Sequence, residues 1–402
     1  MDVVCQVTLA ALVLIFSLGS LFGLVRNSHW FFRGWEYPRV QICTLVVGFF
    51  TLYLLSEWYY GWDWSVWDSL LALVAIVAVC WHLFRILRYT RLTRKQVLAD
   101  DDSLGGEAVC VSILTSNVQM ENKDFDAYMQ MVRSKKPDVV LILETDESWV
   151  EGTKPLQEEY EHVVALPQEN WYGMMMLTNL DLIDYDVRYL VQDDIPSIHA
   201  KIGLPGGHTI QLRCLHPRPL EPIRGNHATS RDAELVVVGR EVEDADEPVI
   251  VAGDLNDVAW SHTTRLFLRL SGLLDPRRGR GFFTSWPVDH PFWRVPLDHI
   301  FHSSDFTLRT LERMPDIGSD HYPIYAELVL RTPAREVQNS TDTFDDDQDE
   351  AQGMIEEAEE VNNRLVQSEE RNPPGRSMMA CAARFARSLR FGSSRIFVDP
   401  AV

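Results

Sequence analysis

Several apolar runs of this chain end in side chains that can hold a metal ion or carry a proton. The runs "AVCVSILTSN", "PDVVLILE", "HTIQLRCLH" and "EPVIVAGDLN" are typical of buried strands, and they finish at or near Asn117, Glu144, His216 and Asp254. Strand ends that meet at one edge of a sheet form a natural site. A single polar residue at a strand end is usually a cap or a turn residue. Four such strand ends in one domain indicate a catalytic or metal-binding site instead.

An acid and an imidazole are adjacent at Asp320 and His321, within "GSDHYPI". By itself this dipeptide is also typical of a solvated loop. Adjacent side chains of an extended chain point to opposite sides, so the pair could serve two different partners. By the same rule, Asp254 and Asn256 of "GDLN" would point to the same side and could reach one ligand.

The segments that must position these residues alternate between strand and helix patterns. "DFDAYMQMVRSKK" and "SRDAELVVVGREVE" predict helices, whereas "LDHIFHS" and "HYPIYAELVL" predict the strands that close the domain. Short apolar strands that alternate with helices indicate an α/β domain. We place this domain at residues 107–331, after a linker at 101–106 with the sequence "DDSLGG".

The first hundred residues predict a membrane anchor. Three apolar runs, at roughly Val3–Val25, Gln41–Tyr60 and Leu70–Leu87, are each near the ~20 residues that cross a bilayer as a helix. Seven of the twelve tryptophans lie in this part, mostly beside the runs, as in an interfacial aromatic belt. The start "MD" carries no positive charge, which argues against an ordinary signal peptide. Residues 1–100 are therefore predicted to form three transmembrane helices.

Basic residues predict the orientation of this anchor. Eight of them flank the runs on one proposed side, namely Arg26, Arg33, Arg39, Arg85, Arg88, Arg91, Arg94 and Lys95. The second connection, "EWYYGWDWSVWD", carries acidic residues and no basic residue. By the positive-inside rule, the first connection and everything after the third run face the cytoplasm.

Charge and cysteine usage limit the classes of function. Residues 107–331 contain 36 acidic and 21 basic residues, a net charge of −15, and such a domain repels phosphate backbones at long range. Tight non-specific binding of nucleic acid is therefore disfavoured. The six cysteines are scattered without a CxxC spacing, which argues against a zinc site or a disulfide framework.

The last part of the chain, residues 332–402, is predicted to be a disordered tail. It is acidic up to Glu370, with 13 acidic residues from Glu336 onward against Arg364 alone. The stretch from Arg371 to Arg395 then carries six arginines and no acid. Within it, "RSMMACAARFARSLRF" could form a basic amphipathic helix on anionic lipid, or fold back on the acidic run.

Six motifs in a fixed order resemble a known family. They are "SNVQ", "PDVVLILE", "LHPRP", "VAGDLND", "PLDHIF" and "GSDHYPI", between Ser116 and Ile324. The chain is similar to the endonuclease/exonuclease/phosphatase superfamily, which includes pancreatic deoxyribonuclease. "LHPRP" and "FTSWP" look like its bacterial membrane-anchored branch, the YafD-like proteins. The resemblance implies a four-layer α/β sandwich, here preceded by three transmembrane helices, and metal-dependent hydrolysis of a phosphoester.

The resemblance also implies a metal site. Glu144 matches the main metal carboxylate of the family, and Asn117 and Asp320 match further ligands, direct or through water. The implied ion is Mg²⁺ or Mn²⁺, which prefers hard oxygen ligands. The neighbouring Glu147 is the local rival of Glu144 and is expected to face solvent.

The remaining motif residues match catalytic roles. Asp254 matches the residue that orients or deprotonates the attacking water, Asn256 a phosphate-orienting amide, and His216 a donor to a phosphate oxygen. His321 is expected to face the scissile phosphate with its other nitrogen held by Asp298, either to stabilise the phosphorane or to act as the base. The serine inserted in "TSWP" departs from the family pattern and puts the fit of the substrate in doubt.

The substrate itself is less defined. Basic residues close to the motifs could clamp a second phosphate, or could simply be solvated: Arg218, Arg224, Arg277, Arg278 and Arg280. A membrane anchor favours a lipid-linked phosphate ester or pyrophosphate as substrate. The alternatives are a metal-dependent nuclease and a non-catalytic membrane scaffold that retains the fold, and turnover of a generic phosphodiester would separate the scaffold from the enzymes.

Overall fold

Three long apolar helices begin the chain. The computed structural model describes residues 2–371, apart from 62–63, 102–104, 221–227, 332, 339 and 341–342. The helices are α1 (Asp2–Gly19), α3 (Arg39–Tyr60) and α4 (Val66–Ile86), with the short α2 (Trp30–Gly34) between the first two. With their 3-10 extensions they give segments of 22, 22 and 24 residues, long and apolar enough to cross a membrane by length and composition. The three predicted apolar helices are thereby confirmed.

The rest of the chain folds around two β-sheets. The six-stranded sheet has the order β10-β11-β1-β2-β4-β3, and the five-stranded sheet has the order β5-β6-β7-β8-β9. The strands are β1 (Val109–Asn117), β2 (Val139–Leu143), β3 (His162–Leu166), β4 (Met174–Thr178), β5 (Asp181–Arg188), β6 (Ser197–Leu204), β7 (His208–Leu215), β8 (Val249–Asp254), β9 (Asp298–His302), β10 (Phe306–Arg313) and β11 (Ile324–Leu330).

Helices lie outside the two sheets. They are α5 (Phe125–Lys135), α6 (Glu147–Gly152), α7 (Lys154–Gln157), α8 (Thr229–Glu243), α9 (His262–Ser271), α10 (Ala334–Val337) and α11 (Asp345–Arg371). Most of them lie on the sheet faces, and α11 lies on top of α8 and α9. One apolar core lies between the two sheets, and residues such as Ile113, Leu141, Leu212 and Ile250 meet there. Two further cores lie between a sheet and its own helices. These layers confirm the predicted four-layer α/β sandwich.

The residues after α4 join the sandwich earlier than predicted. Ala99 pairs with Leu308 of β10 in a parallel bridge, and Asp100 forms ion pairs with Arg309 and Arg331 at 2.9 and 2.7 Å. Val97 is fully buried in the inter-sheet core. The folded domain therefore begins several residues before the predicted linker, part of which (102–104) lies outside the described residues.

The acidic segment is a helix rather than a disordered tail as far as residue 371. Helix α11 presents Ala351, Met354 and Ile355 to apolar side chains of α8 and α9, and Asp347 forms a 2.7 Å ion pair with Arg269. The composition alone predicted disorder because the acidic residues outnumber this narrow apolar stripe. The predicted basic helix at 376–391 lies outside the described residues.

The connection between α1 and α3 packs on the sandwich. Arg33 lies 2.6 Å from Asp232 of α8 and donates to the hydroxyl of Thr263 of α9 at 3.1 Å. The indole of Trp260 donates to the carbonyl oxygen of Glu36 at 2.9 Å. This connection, residues 25–38, is called the anchor loop below. It is held to the domain by buried charged groups as well as by the covalent chain.

Candidate active site

A cleft of about 380 Å³ opens at one edge of the two sheets. It is lined by Tyr37, Asn117, Glu144, Trp171, Tyr172, His216, Pro219, Leu220, Asp254, Asn256, Trp286, Leu297, Asp320 and His321. The four strand-end residues predicted from the sequence therefore share this cleft, together with both residues of the Asp-His pair. Glu147 is exposed at the start of α6, as expected.

The strand topology explains why these residues meet. Strands β1 and β2 are parallel neighbours, as are β7 and β8, so their carboxyl ends lie at one edge of each sheet. Strands β9 and β11 run antiparallel to β8 and β1, so their amino ends lie at the same edge. Asp298 is paired directly opposite Asp254 in this register. His321 precedes β11 and thus arrives beside the end of β1.

His321 lies between two buried carboxylates. Its Nδ1 is 2.8 Å from Oδ2 of Asp298, and its Nε2 is 3.7 Å from Oδ2 of Asp254. Burial disfavours the charged ring, but the two carboxylates outweigh it and raise the pKa of His321 to about 10. Burial also raises the pKa of Asp298, while His321 and His216 hold the pKa of Asp254 below its usual value. We therefore assign the proton to the ring of His321.

Glu144 is a poorly compensated carboxylate in the same cleft. Asn117 donates to its Oε1 at 2.8 Å, and the backbone N–H of Met120 donates to Oε2 at 3.4 Å. Burial is the main cause that raises the pKa of Glu144 to about 7, and the negative charges of Asp254 and Asp320 add to it. Three carboxylates thus converge on a space that holds more negative than positive charge.

This set of donors fits a divalent cation. Carboxylate oxygens are the ligands that Mg²⁺ and Mn²⁺ prefer, and a cation would offset the burial, and the smaller repulsion from Asp254 and Asp320, that raise the pKa of Glu144. Ligand atoms of Asp254, Asp298 and His321 also lie within 4.8 Å of one another. In that cluster, the imidazolium of His321 already compensates the charges of Asp254 and Asp298. The space beside Glu144 and Asp320 therefore fits an ion better. Asn117 turns its nitrogen toward the carboxylates in this structure, so its predicted role as a direct ligand lacks support here.

The Asp-His pair is not extended chain. Residues 318–321 form a bend, and both side chains line the same cleft. The side chain of Asp320 accepts a hydrogen bond from the indole of Trp286 at 2.9 Å, and its backbone N–H donates to Gln119 at 3.2 Å. The hydroxyl of Ser319 accepts from the N–H of His321 and donates to the carbonyl of Asn117. The alternation argument was therefore wrong, and a turn separates the two roles instead.

Asp254 and Asn256 also share the cleft for a reason other than alternation. Asn256 lies beyond the strand and has a φ of 51°, in the left-handed region. Its N–H donates to Oδ1 of Asp254 at 2.9 Å, and its side-chain amide donates to the carbonyl of Pro217 at 2.9 Å. Gln119, Glu144 and Trp171 have positive φ values as well. Such conformations cost about 1–3 kcal/mol each and concentrate at functional sites.

His216 is a neutral counterpart of His321. Its Nε2 is 3.9 Å from Oδ2 of Asp254, and its ring packs at 5.6 Å from the ring of Tyr172. Burial lowers its pKa to about 4, because Asp254 compensates only part of the cost of charging it. The two histidines of the cleft therefore differ in charge near neutral pH.

The predicted arginine clamp is largely wrong. Arg277 is 3% exposed and is bound by Asp275 and His299, with contacts from 2.6 to 2.9 Å. Arg278 is buried with its guanidinium over the ring of Tyr89. Both side chains thus stabilise the fold and are not available to a substrate.

The other predicted arginines have different positions. Arg280 donates to the carbonyl of Val97 at 2.7 Å. Arg218 lies beside the cleft, 3.3 Å from Asp194 and over the ring of Tyr172. Arg224 lies outside the described residues. Arg218 is therefore the member of this group that remains a candidate for substrate binding.

Seven of the fourteen cleft residues were missed from the sequence, and Trp286 and Tyr37 are the two that contact predicted site residues through hydrogen bonds. Trp286 holds Asp320, although its "FTSWP" segment was noticed only as part of the resemblance. Tyr37 comes from the anchor loop, and no local pattern connects it to a domain that begins some sixty residues later. Ser285, the inserted serine, accepts hydrogen bonds from the N–H groups of Leu297 and Asp298.

Three of the solved structures that are similar to this chain come from different organisms. TDP2 from D. rerio, complexed with a single strand DNA product, is 19% identical, with a TM-score of 0.47 over 55% of this chain and 98% of that chain. An endonuclease/exonuclease/phosphatase family protein from Bacteroides thetaiotaomicron is 15% identical, with a TM-score of 0.45 over 56% and 97%. A functionally unknown protein from Enterococcus faecalis is 16% identical, with a TM-score of 0.45 over 55% and 100%. Among curated proteins, none matches the chain.

The sequence model of one family covers all the predicted catalytic and metal-binding residues. The model described as "Endonuclease/Exonuclease/phosphatase family" matches residues 114–321. This range is about half of the chain, and it starts three residues before Asn117 and ends at His321. It includes every predicted catalytic and metal-binding residue. The chain therefore belongs to the Endonuclease/Exonuclease/phosphatase family, whose members are metal-dependent hydrolases of phosphate esters.

Proposed function

We propose that this protein is a membrane-anchored phosphoesterase that acts on a substrate at the membrane surface, with a lipid-linked phosphate ester or pyrophosphate as the favoured class. The observation that carries the proposal is the cleft itself. Glu144, Asp254 and Asp320 converge there beside the Asp298–His321 pair. Carboxylates with a perturbed pKa in a cleft, as Glu144 and Asp254 are here, are a physical mark of a reactive site.

Glu144 and Asp320 are proposed to hold the ion, while Asn117 orients Glu144 through its 2.8 Å hydrogen bond and reaches the ion through a water. A bound Mg²⁺ or Mn²⁺ would supply positive charge to the phosphoryl oxygens. The shift of the Glu144 pKa to about 7 supports this assignment, because a carboxylate that is costly to ionise alone becomes favourable beside a cation.

The other residues are proposed to act on water and on the phosphate. Asp254 orients the attacking water. The side-chain amide of Asn256 and the imidazole of His216 bind phosphate oxygens. Water adds to phosphorus and gives up a proton to Asp254, the ester P–O bond breaks, and the leaving oxygen takes up a proton from solvent. His321, charged near neutral pH and oriented by Asp298, stabilises the negative charge that accumulates in the transition state. Its raised pKa favours this role over that of the base.

The position of the cleft supports a substrate at the membrane surface. Tyr37 in the wall of the cleft is two residues before Arg39, where α3 begins. Gln41, in the first turn of α3, donates to the carbonyl of Phe292 at 2.7 Å. Phe292 and its neighbour Trp293 are about half exposed, as aromatic residues at a bilayer interface often are. The net charge of −15 on residues 107–331 opposes a nucleic acid substrate.

The cytoplasmic side is proposed for the catalytic domain, on the strength of the basic residues that flank α1, α3 and α4. A reporter fused after Arg331 tests it. Activity of a cytoplasm-specific reporter is expected, and activity restricted to an extracytoplasmic reporter would place the domain on the other side.

The test of function uses the full-length protein in lipid nanodiscs. A generic phosphodiester, single-stranded DNA, and vesicles that contain phosphatidic acid or a lipid diphosphate are assayed with Mg²⁺ or Mn²⁺. We expect turnover that is highest on the lipid substrates, lost in excess EDTA and absent from Glu144→Ala. Full activity in EDTA would refute the metal requirement, faster turnover of DNA would favour the nuclease, and no turnover would favour the scaffold.

A further inference from the structure

Tyr37 brings the anchor loop into the cleft. Its hydroxyl donates to the carbonyl oxygen of Asn256 at 2.5 Å and accepts from Arg231 at 2.7 Å. Arg231 donates to the same carbonyl oxygen at 2.8 Å. Burial raises the pKa of Tyr37 above its usual value, so the hydroxyl keeps its proton near neutral pH. The contact spans 219 residues of sequence.

Asn256 is a residue whose backbone needs support. Its φ of 51° is unfavourable for a residue with a side chain, although Asn tolerates it better than most. The peptide that follows is fixed through its carbonyl oxygen by Tyr37 and Arg231, and the side-chain amide is fixed by Pro217. Without these contacts the amide could move relative to Asp254, and a displacement of about 1 Å can cost roughly 100-fold in rate.

We propose that Tyr37 is a positioning residue of the active site: the anchor loop holds Asn256 in its productive conformation, so the membrane anchor completes the catalytic domain. This inference rests on the proposed function, because it assigns to Tyr37 an effect on the same phosphoester cleavage. It predicts that the anchor contributes to turnover as well as to location.

A second tyrosine of the anchor supplies a matched control. The hydroxyl of Tyr89 donates to the carbonyl oxygen of Ala259 at 2.6 Å. This contact also joins the anchor to the segment after β8, three residues beyond Asn256, but Tyr89 does not line the cleft. Tyr37→Phe and Tyr89→Phe each remove a hydroxyl that donates to a backbone carbonyl and accepts from an arginine, Arg231 or Arg278 respectively. The two variants differ in which carbonyl is released.

The experiment compares full-length wild type, Tyr37→Phe, Tyr89→Phe, Asn256→Gly and the double variant Tyr37→Phe/Asn256→Gly in nanodiscs. Glycine suits a φ of 51°, so Asn256→Gly removes the amide without adding strain. We expect Tyr37→Phe to lower kcat about five- to tenfold, the range of one lost hydrogen bond, with a smaller change in KM. Tyr89→Phe should keep the wild-type kcat, although it should shift the melting temperature by about as much as Tyr37→Phe does.

The double variant separates positioning from general destabilisation. If Tyr37 acts through Asn256, the double variant should turn over at the rate of Asn256→Gly alone. Wild-type kcat in Tyr37→Phe, an equal loss in Tyr89→Phe, or multiplied losses in the double variant would each overturn the inference. Absence of metal-dependent turnover in the wild type would instead refute the proposed function.

Discussion

Two groups of buried charges lie close together in this molecule, and they differ in how well each charge is compensated. In the cleft, Glu144, Asp254, Asp298 and Asp320 face the single imidazolium of His321. At the contact of the anchor with the domain, three guanidinium groups face three carboxylates: Arg33, Arg39 and Arg231 against Glu36, Asp232 and Asp257. The first group carries an excess of negative charge, and the second is balanced.

The pKa values of Glu144 and Asp232 illustrate this difference, while burial still raises the pKa of Asp257 in the second group. Burial acts on Glu144 and Asp232 alike and pushes both pKa values up. Arg33 and Arg231 overcome it at Asp232, whose pKa falls below its usual value, whereas Glu144 is left with a pKa of about 7. In a balanced buried group each charge already has a partner, and removing one partner destabilises the fold because it leaves the other charge uncompensated. Such a group therefore needs no ligand to account for it. An unbalanced group is a candidate site for a ligand that supplies the missing charge.

The largest effect is expected at the balanced group. Arg33→Met should lower the free energy of unfolding by about 3–5 kcal/mol, because Asp232 and Glu36 lose a buried partner. Activity per folded molecule should change much less, by no more than in Tyr37→Phe, because Arg33 does not line the cleft and reaches it only through the anchor loop and Asp232. Thermal or denaturant unfolding in nanodiscs measures the first quantity, and turnover corrected for the folded fraction measures the second.

An exposed arginine provides the control for this variant. Arg133 forms a 2.6 Å ion pair with Glu159 on the surface, with both side chains more than 40% exposed. Arg133→Met should leave stability almost unchanged. Equal stability of the two variants would show that the contact between anchor and domain contributes no more than a surface ion pair.

The next largest effect is expected in the cleft. His321→Ala should reduce turnover about 10²–10³-fold, roughly 2.7–4 kcal/mol, because it removes a preorganised positive charge. His216→Ala should cost less and should appear partly in KM, because His216 is neutral and would contact an oxygen already charged in the ground state. Near wild-type turnover in His321→Ala would contradict the role given to the imidazolium.

Smaller effects should separate the two functions of the Asp-His pair, namely metal binding by Asp320 and charge stabilisation by His321. Asp298→Asn should reproduce part of the loss seen in His321→Ala and leave metal affinity almost unchanged, because Asp298 contacts the imidazole at 2.8 Å. Asp320→Ala should weaken metal binding instead. Titration with Mn²⁺, followed alongside turnover, compares the two variants. A larger change in metal affinity for Asp298→Asn than for Asp320→Ala would contradict this division.

The sequence was most informative where function depends on strand ends. The ends at Asn117, Glu144, His216 and Asp254 could be predicted to meet, because parallel strands place their carboxyl ends at one edge. The reason given for Asp320 and His321 was wrong although the residues meet, since a bend replaces the extended chain. Local alternation predicts which way a side chain points only inside a strand.

Other features depend on contacts that no local pattern encodes. Arg277 and Arg278 have the composition of a solvated basic loop, but Asp275, His299 and Tyr89 bury them. The acidic run in α11 has the composition of a disordered tail, but its few apolar residues find a surface on α8 and α9. The basic residues of the anchor loop predicted topology, yet Arg33 also has a buried partner 199 residues away.

The anchor loop has a consequence for the order of biosynthesis. Its residues leave the ribosome before their partners exist, since 199 residues separate Arg33 from Asp232 and 219 separate Tyr37 from Asn256. The apolar helices on either side can enter the bilayer early. The charged side chains of the loop would then stay hydrated at the bilayer surface until their partners are synthesised. Contacts of such long range form late and slowly during folding. A chain that stops before α8 would therefore be inserted but unfinished, with unpaired charges at the membrane surface for quality-control proteases to recognise.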